Sequence, residues 1–332
     1  MRIKAILGAL CVALPVAGAA AGGFEPAIVF DRGGRADRSF NDAVWQGAQR
    51  FTAETGIAVS TDEAASPADR APAMRRAIAR GATLTIAVGF SYAEAIEAVA
   101  AENPGRSFAI IDVNWLDLPN LRQYAFREHE GSYLVGIAAA LTSKTGTIGF
   151  VGGMDVPLIR RFACGYAQGA AAARSGIKIV RDMTGRTPAA WNDPARGAAL
   201  AQGQFARGAD VVFHAAGGTG IGVIRAAAAA GKYAIGVDLN QNGIAPGTVL
   251  TSMVKRVDVA AYETLKDAMR GRFSPGVVTL GLAEGGVDWA LDEHNRKLIA
   301  PAVREAVEEA RAGIVAGRIA VHDYVTDRRC PR

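Results

Sequence analysis

The chain has 332 residues, half of them apolar and 21% charged, with a formal net charge of +5. Burial is therefore not limiting, and the length suits two lobes better than one small core. No Lys/Arg run and no basic helix with interleaved aromatics occurs, which argues against a nucleic-acid partner; a mildly basic balance bears on solubility first.

Residues 1–21 read as a secretory signal peptide. Arg2 and Lys4 precede an apolar core from Ile6 to Val16, and Ala19-Ala20-Ala21 forms a small-residue cleavage pattern. The apolar run is short for a membrane span. Cys11 lies inside it after Leu10, where a lipid-attachment signal wants a small residue, so no lipid anchor is expected. The mature chain is expected in the periplasm.

From there strands and helices alternate. Strands are predicted over 27–30, 58–61, 83–88 and 107–112, with helices over 41–55, 67–80 and 93–102 between them. The pattern restarts with a helix over 131–142. Strands follow over 147–151, 178–182, 210–214 and 233–237, with helices over 157–175, 194–207 and 220–230. The rest reads as strand 248–253, helix 258–270, strand 277–283, helix 295–312 and a final strand over 318–322. Alternation of this kind predicts doubly wound parallel sheets. Two such lobes facing a cleft, joined by a multi-strand hinge, are the expected architecture. The first lobe is expected over 22–126 plus 252–285, and the second over 127–251 plus 286–328. Crossings are expected near 125–130, 249–255 and 283–290.

In open parallel sheets, ligands bind where loops leave the carboxyl ends of strands. Four such loops carry polar and aromatic residues. The first offers Asp37, Ser39, Phe40 and Asn41, a set suited to a flat polar molecule that also carries hydroxyls. Its alternative reading is structural, with Asp37 or Ser39 capping the helix and Phe40 packing as a staple. The second loop holds Gly89 and Phe90, where glycine permits close backbone approach. Asp112 and Asp238 directly follow apolar runs and are placed to accept hydrogen bonds from vicinal hydroxyls, or else to form caps or turns. The segment Ala216 to Gly222 follows a strand and opens a helix. It fails as a dinucleotide fingerprint because Val223 stands where the third Gly or Ala belongs. Gly218 and Gly220 instead read as a cleft floor at a helix start. Phe213 and His214 end the strand before it, and alternation lets only one face the cleft. Lys255 lies in a segment that reads as returning to the first lobe. It is either a ligand contact or a solvated surface lysine.

Cys164 and Cys330 remain after processing. A disulfide is permitted outside the cytoplasm, but a buried small residue plus a free thiol is the expected arrangement. His129, His214, His294 and His322 are scattered without metal-ligand spacing, so no metal and no cofactor is predicted. There is no Gly-x-Ser-x-Gly and no Ser/His/Asp set at telling spacing, so no catalytic residues are assigned.

The segments Asp37–Asn41, Val88–Phe90, Phe108–Asp112, Phe126–Gly136, Ala216–Gly220, Gly236–Asp238 and Thr251–Lys255 together resemble the basic-membrane-protein family of substrate-binding proteins, which includes purine-nucleoside receptor lipoproteins. The match runs in order through nearly the whole mature chain. The resemblance implies a type I periplasmic-binding-protein fold that acts as a monomer and delivers a nucleoside of the purine class to an ABC transporter permease. It further implies that Phe40 stacks on the base, that Asn41 and Asp112 bond the base or sugar, that Asp238 holds ribose hydroxyls and that Lys255 adds a polar contact. Phe213 is the expected second aromatic. The Arg-rich first loop (Arg32, Arg35, Arg38) and His129 depart from the family pattern. The alternatives are a nucleoside-processing enzyme and a ligand-sensing protein for a membrane receptor.

Overall fold

The computed structural model describes residues 23–31 and 34–331. The expected signal peptide and Cys11 lie outside the described residues. The first half builds β1 (Pro26–Phe30), α1 (Phe40–Thr55), β2 (Ser60–Glu63), α2 (Arg70–Ala79), β3 (Leu84–Ala87), α3 (Ala93–Glu102), β4 (Ser107–Ile111) and β5 (Leu121–Phe126). The second builds α4 (Glu128–Thr142), β6 (Thr147–Met154), α5 (Pro157–Ala173), β7 (Lys178–Gly185), α6 (Pro194–Ala206), β8 (Val211–Ala215), α7 (Gly220–Ala229), β9 (Tyr233–Asp238) and β10 (Val249–Lys255). Then come α8 (Val257–Met269), β11 (Gly276–Leu280), β12 (Val287–Trp289), α9 (Pro301–Val315) and α10 (Tyr324–Asp327).

These strands form two six-stranded sheets, in the orders β11-β5-β4-β3-β1-β2 and β12-β10-β9-β8-β6-β7. The first sheet is parallel throughout. In the second, only β12 runs antiparallel, against β10. Among the described residues the chain passes between the sheets three times, at 126–128, 255–257 and 280–287. The predicted α/β two-lobe fold is thus the observed one.

Several details differ from expectation. β5 has no helix before it: residues 112–120 carry the chain back as a loop, so the alternation that marks the other parallel strands is missing there. β12 is too short to show as a periodic run. β10 does not return to the first lobe. It pairs with β9 and β12, so residues 252–255 side with the second sheet, and the crossing follows Lys255. The last long helix starts at Pro301 rather than Asn295, because proline fits the first turn of a helix and not its interior. Residues 318–322 form no strand. Cys164 and Cys330 are joined in a disulfide, so the expected free thiol is corrected.

The second lobe's core is built around Phe213, whose ring centroid lies 5.5 Å from that of Phe150 and 5.3 Å from that of Tyr166. α4 and α5 approach closely because glycine faces backbone at their contact. A Cβ on Gly136 would lie 2.2 Å from the Tyr166 carbonyl oxygen, and one on Gly169 would lie 2.0 Å from that of Tyr133. Gly136→Ala or Gly169→Ala should therefore force the helices apart and cost about 1–3 kcal/mol. Denaturant melts of each variant measure this, and an unchanged midpoint would contradict the close contact.

Candidate ligand-binding site

The cleft between the lobes is lined from both sheets. The first lobe contributes Asp31, Asp37, Phe40, Asn41, Val88 to Ser91 and Asp112. The second contributes Leu158, Ile159, Phe162, Pro188, Trp191, Ala215 to Gly217, Val237, Asp238 and Lys255. Each set lies at or beyond strand ends or on the first two turns of a following helix.

Asp112 and Asp238 occupy matching places. Asp112 follows β4 and Asp238 ends β9, and both hold left-handed backbone, with φ of 69° and 65°. Asp tolerates this conformation better than most residues, and strained backbone of this kind clusters at ligand sites. Their surroundings differ. Asp112 Oδ1 accepts from Lys255 Nζ at 2.6 Å. Burial lifts its carboxyl above the ordinary range against the pull of Lys255. Asp238 Oδ2 accepts from Ser39 Oγ at 2.5 Å, across the cleft. Burial raises the Asp238 carboxyl to about 7, although Lys255 and Ser39 hold it down.

Lys255 is only 2% exposed, so the solvated reading is corrected. Its Nζ also lies 2.9 Å from Glu128 Oε1. It sits 5.2 Å from the ring centroid of Phe40, 5.0 Å from that of Phe126 and 5.7 Å from that of Phe162. Burial alone would depress its ammonium, but Asp112, Glu128 and Asp238 outweigh it and hold the group above its ordinary value. Glu128 is fully buried at the start of α4, and its Oε2 accepts from Arg161 Nη1 at 2.9 Å. Burial pushes its carboxyl up, yet Lys255 and Arg161 bring it below the usual range.

Asp37 caps α1 from a place in the cleft wall. Its carboxylate accepts from the backbone N–H groups of Ser39, Asn41 and Asp42 at 2.9, 3.0 and 3.0 Å, capping α1, and it also lines the cleft. Burial raises its carboxyl despite those three donors. Asn41 Nδ2 donates to the Gly34 carbonyl at 3.1 Å, tying down the first loop. Gly89 holds φ of 98°, which a side chain would resist, and a Cβ there would meet the Phe40 ring at 3.6 Å. Ser39 is not a cap; its hydroxyl faces the second lobe. Gln241 Nε2 donates to the Arg38 carbonyl at 2.7 Å, so the two lobes touch at a second point beside it.

Phe213 does not reach the cleft. β8 is a central strand with core on both sides, so Phe213 packs with Phe150 and Tyr166 while His214 lies beneath Gly220. A Cβ on Gly220 would lie 2.0 Å from His214 Nδ1, so this glycine serves packing within the second lobe rather than the cleft wall. Burial lowers His214 to about 4. Gly218 lies nearer the cleft edge: a Cβ there would be 3.4 Å from the Trp191 carbonyl oxygen and 3.7 Å from Asp37 Cβ. The second lobe's aromatics at the cleft are Phe162 and Trp191 instead. Trp191 meets Phe90 edge-on across the opening, with centroids 6.5 Å apart. A lone tryptophan in the Pro188–Trp191 turn, just past a strand, was the available signal for it. Nothing in the acidic pattern around Glu128 marks it as buried.

Removing Lys255 leaves Asp112 and Glu128 buried without their shared cation. Lys255→Met should lose about 3–5 kcal/mol of stability at pH 7.5. The loss should shrink towards pH 5, because a carboxyl with a raised folded-state pKa takes up its proton there and the folded state binds protons that the unfolded one does not. Urea melts at the two pH values measure both effects, and wild-type stability at pH 7.5 would refute the first.

Comparisons with known proteins agree with the two-lobe fold. The Bmp family, described as ABC transporter substrate-binding protein PnrA-like, matches residues 24–323. The chain is 33% identical to the ABC transporter nucleoside-binding protein BmpA of Lactococcus lactis, over 90% of this chain and 88% of that one. It is 35% identical to an uncharacterised lipoprotein of Pyrococcus abyssi, over 86% of this chain and 76% of the relative. A solved ABC transporter solute-binding protein from Aeropyrum pernix superposes with a TM-score of 0.83 at 32% identity, covering 90% of this chain and 93% of that structure. The chain belongs to the Bmp family of PnrA-like ABC transporter substrate-binding proteins.

Proposed function

We propose that this protein binds a purine nucleoside between its lobes and hands it to the membrane permease of an ABC importer. The observation that carries the reading is the presence of Phe40 and Asp238 in one cleft: an aromatic ring at the start of α1 and a buried carboxylate that, among the described residues, has one hydroxyl as its hydrogen-bond donor. A base stacks on a ring, and vicinal ribose hydroxyls donate to a carboxylate. In this reading Ser39 holds Asp238 until ribose hydroxyls replace it, and Phe162 or Trp191 covers the base from the second lobe. Asn41 and Asp112 bond the base or sugar, and Lys255 orients Asp112. The nucleoside-binding name of the Lactococcus relative supports the ligand class.

The protein works outside the cytoplasmic membrane as a monomer, without catalysis. No described helix is long and apolar enough to cross a membrane. Some relatives are named lipoproteins, so mass spectrometry of the processed protein is the check on an anchor.

A thermal-shift panel of nucleosides, free bases, nucleotides and sugars tests the ligand. Purine nucleosides should raise the melting temperature by mass action; a shift with sugars alone would overturn the reading. Phe40→Ala should weaken inosine or adenosine binding by about 1–3 kcal/mol. Asp238→Ala should cost roughly 1.5–3 kcal/mol per charged hydrogen bond lost. Inosine should be recovered intact after long incubation, whereas steady release of free base would mean an enzyme.

The raised carboxyl of Asp238 makes binding pH-dependent. Hydroxyl donors favour the ionised form, so ligand binding lowers the pKa of a group that starts at about 7. Affinity should plateau above that pH and fall as pH drops below it, by at most about tenfold per unit for one proton. Calorimetric titrations between pH 5 and 8 measure the slope, and Asp238→Asn should flatten it.

A further inference from the structure

The segment after α9 runs back along α5, the helix that supplies Leu158, Ile159 and Phe162 to the cleft. Several contacts fasten it there. The backbone N–H of His322 donates to Gln168 Oε1 at 2.9 Å, and Gln168 Nε2 returns a bond to the His322 carbonyl at 2.9 Å. Arg160 reaches the Tyr324 hydroxyl, and Cys330 is bonded to Cys164 of α5.

The most consequential contact is at Asp323. Arg161 grips it with two donors, Nε to Oδ1 at 2.8 Å and Nη2 to Oδ2 at 3.0 Å. With its remaining arm, Nη1, Arg161 holds Glu128 Oε2 and the Phe126 carbonyl, both at 2.9 Å. Glu128 in turn contacts Lys255, and Lys255 contacts Asp112 in the cleft. Five charged groups of alternating sign, from five separate segments, thus run from the surface to the ligand site. The Arg161 side chain is 12% exposed and that of Glu128 not at all.

We propose that Asp323 is a positioning residue for the ligand site: it holds the guanidinium of Arg161 against Glu128, which fixes Lys255 and through it Asp112, and the Cys164–Cys330 bridge keeps the segment in place. Without Asp323 the planar fork of Arg161 loses its bidentate partner and its orientation. Glu128, buried, then leans on Lys255 alone and draws the ammonium away from Asp112. The inference rests on the cleft being the ligand site proposed above.

Asp323 also caps α10, its Oδ1 accepting from the Val325 N–H at 2.9 Å. The test must separate that role from the ion pair, and Asp323→Asn does so, since an amide oxygen still caps. Full-length wild type, Asp323→Asn, Asp323→Glu and the double variant Cys164→Ser/Cys330→Ser are compared in two assays. The first is calorimetric titration with inosine and with adenosine. The second, without ligand, measures the labelling rate of Lys255 by an amine-reactive reagent, read by peptide mass spectrometry. Asp323→Asn should weaken binding roughly tenfold and speed Lys255 labelling. Asp323→Glu should recover most of both, and the serine double variant should move both in the same direction as Asp323→Asn by a smaller factor. Wild-type affinity and wild-type labelling in Asp323→Asn would overturn the proposal. A wild-type chain that binds neither nucleoside would strike the nucleoside reading alone, and the labelling assay would still decide the role of Asp323.

Discussion

A buried ammonium constrains everything around it. Lys255 has almost no contact with water, and an ion in that position survives only if opposite charge and good geometry replace its hydration. Asp112 and Glu128 supply the charge, and the rings of Phe40, Phe126 and Phe162 present their electron-rich faces. These partners come from both lobes and from the crossing between them. Lys255 is the last residue of β10, immediately before the second crossing, and Glu128 begins α4, immediately after the first. The ion cluster therefore sits where the chain passes between lobes. Any relative movement of the lobes changes distances inside a low-dielectric network, where such distances matter most.

The two matching aspartates show how one backbone device yields two kinds of acceptor. Both follow a buried strand and turn through left-handed backbone into the cleft. Asp112 has a cation at hydrogen-bond distance, so part of its charge is already answered by the protein. Asp238 has the Ser39 hydroxyl as its hydrogen-bond donor among the described residues, and burial raises its carboxyl to about 7. The second carboxylate is thus the one with most to gain from donors brought by a ligand. The Ser39 contact also joins the lobes, so a molecule bound as proposed would compete with an interlobe bond there.

Much of the fold was legible because alternating apolar runs and helical faces are local signals. The strands carrying Asp112 and Asp238 are continuous apolar runs, as expected of strands covered on both faces. β5 was hidden for the opposite reason: the loop 112–120 replaces the helix that normally separates parallel strands. The lining of the cleft was legible in part. Asp112 and Asp238 announce themselves by their places at strand ends, and Phe40 by its place at the start of the helix that follows the first loop. Phe213 misled because its place one strand-end earlier looks equivalent, whereas a central strand points both of its side-chain rows into core.

What could not be read were pairings between distant segments. The bond between Ser39 and Asp238 spans 199 residues, and that between Lys255 and Asp112 spans 143. No local periodicity encodes such contacts. This matters for how variants are interpreted. Lys255 and Glu128 hold charge balance in the core beside the cleft, so their removal damages the fold first and effects on the cleft follow from that. Phe40 and Trp191 are only partly buried and join no ion pair. Phe40 also lies beside the Lys255 ammonium, so of the two rings Trp191 is the one whose substitution disturbs the charged cluster least.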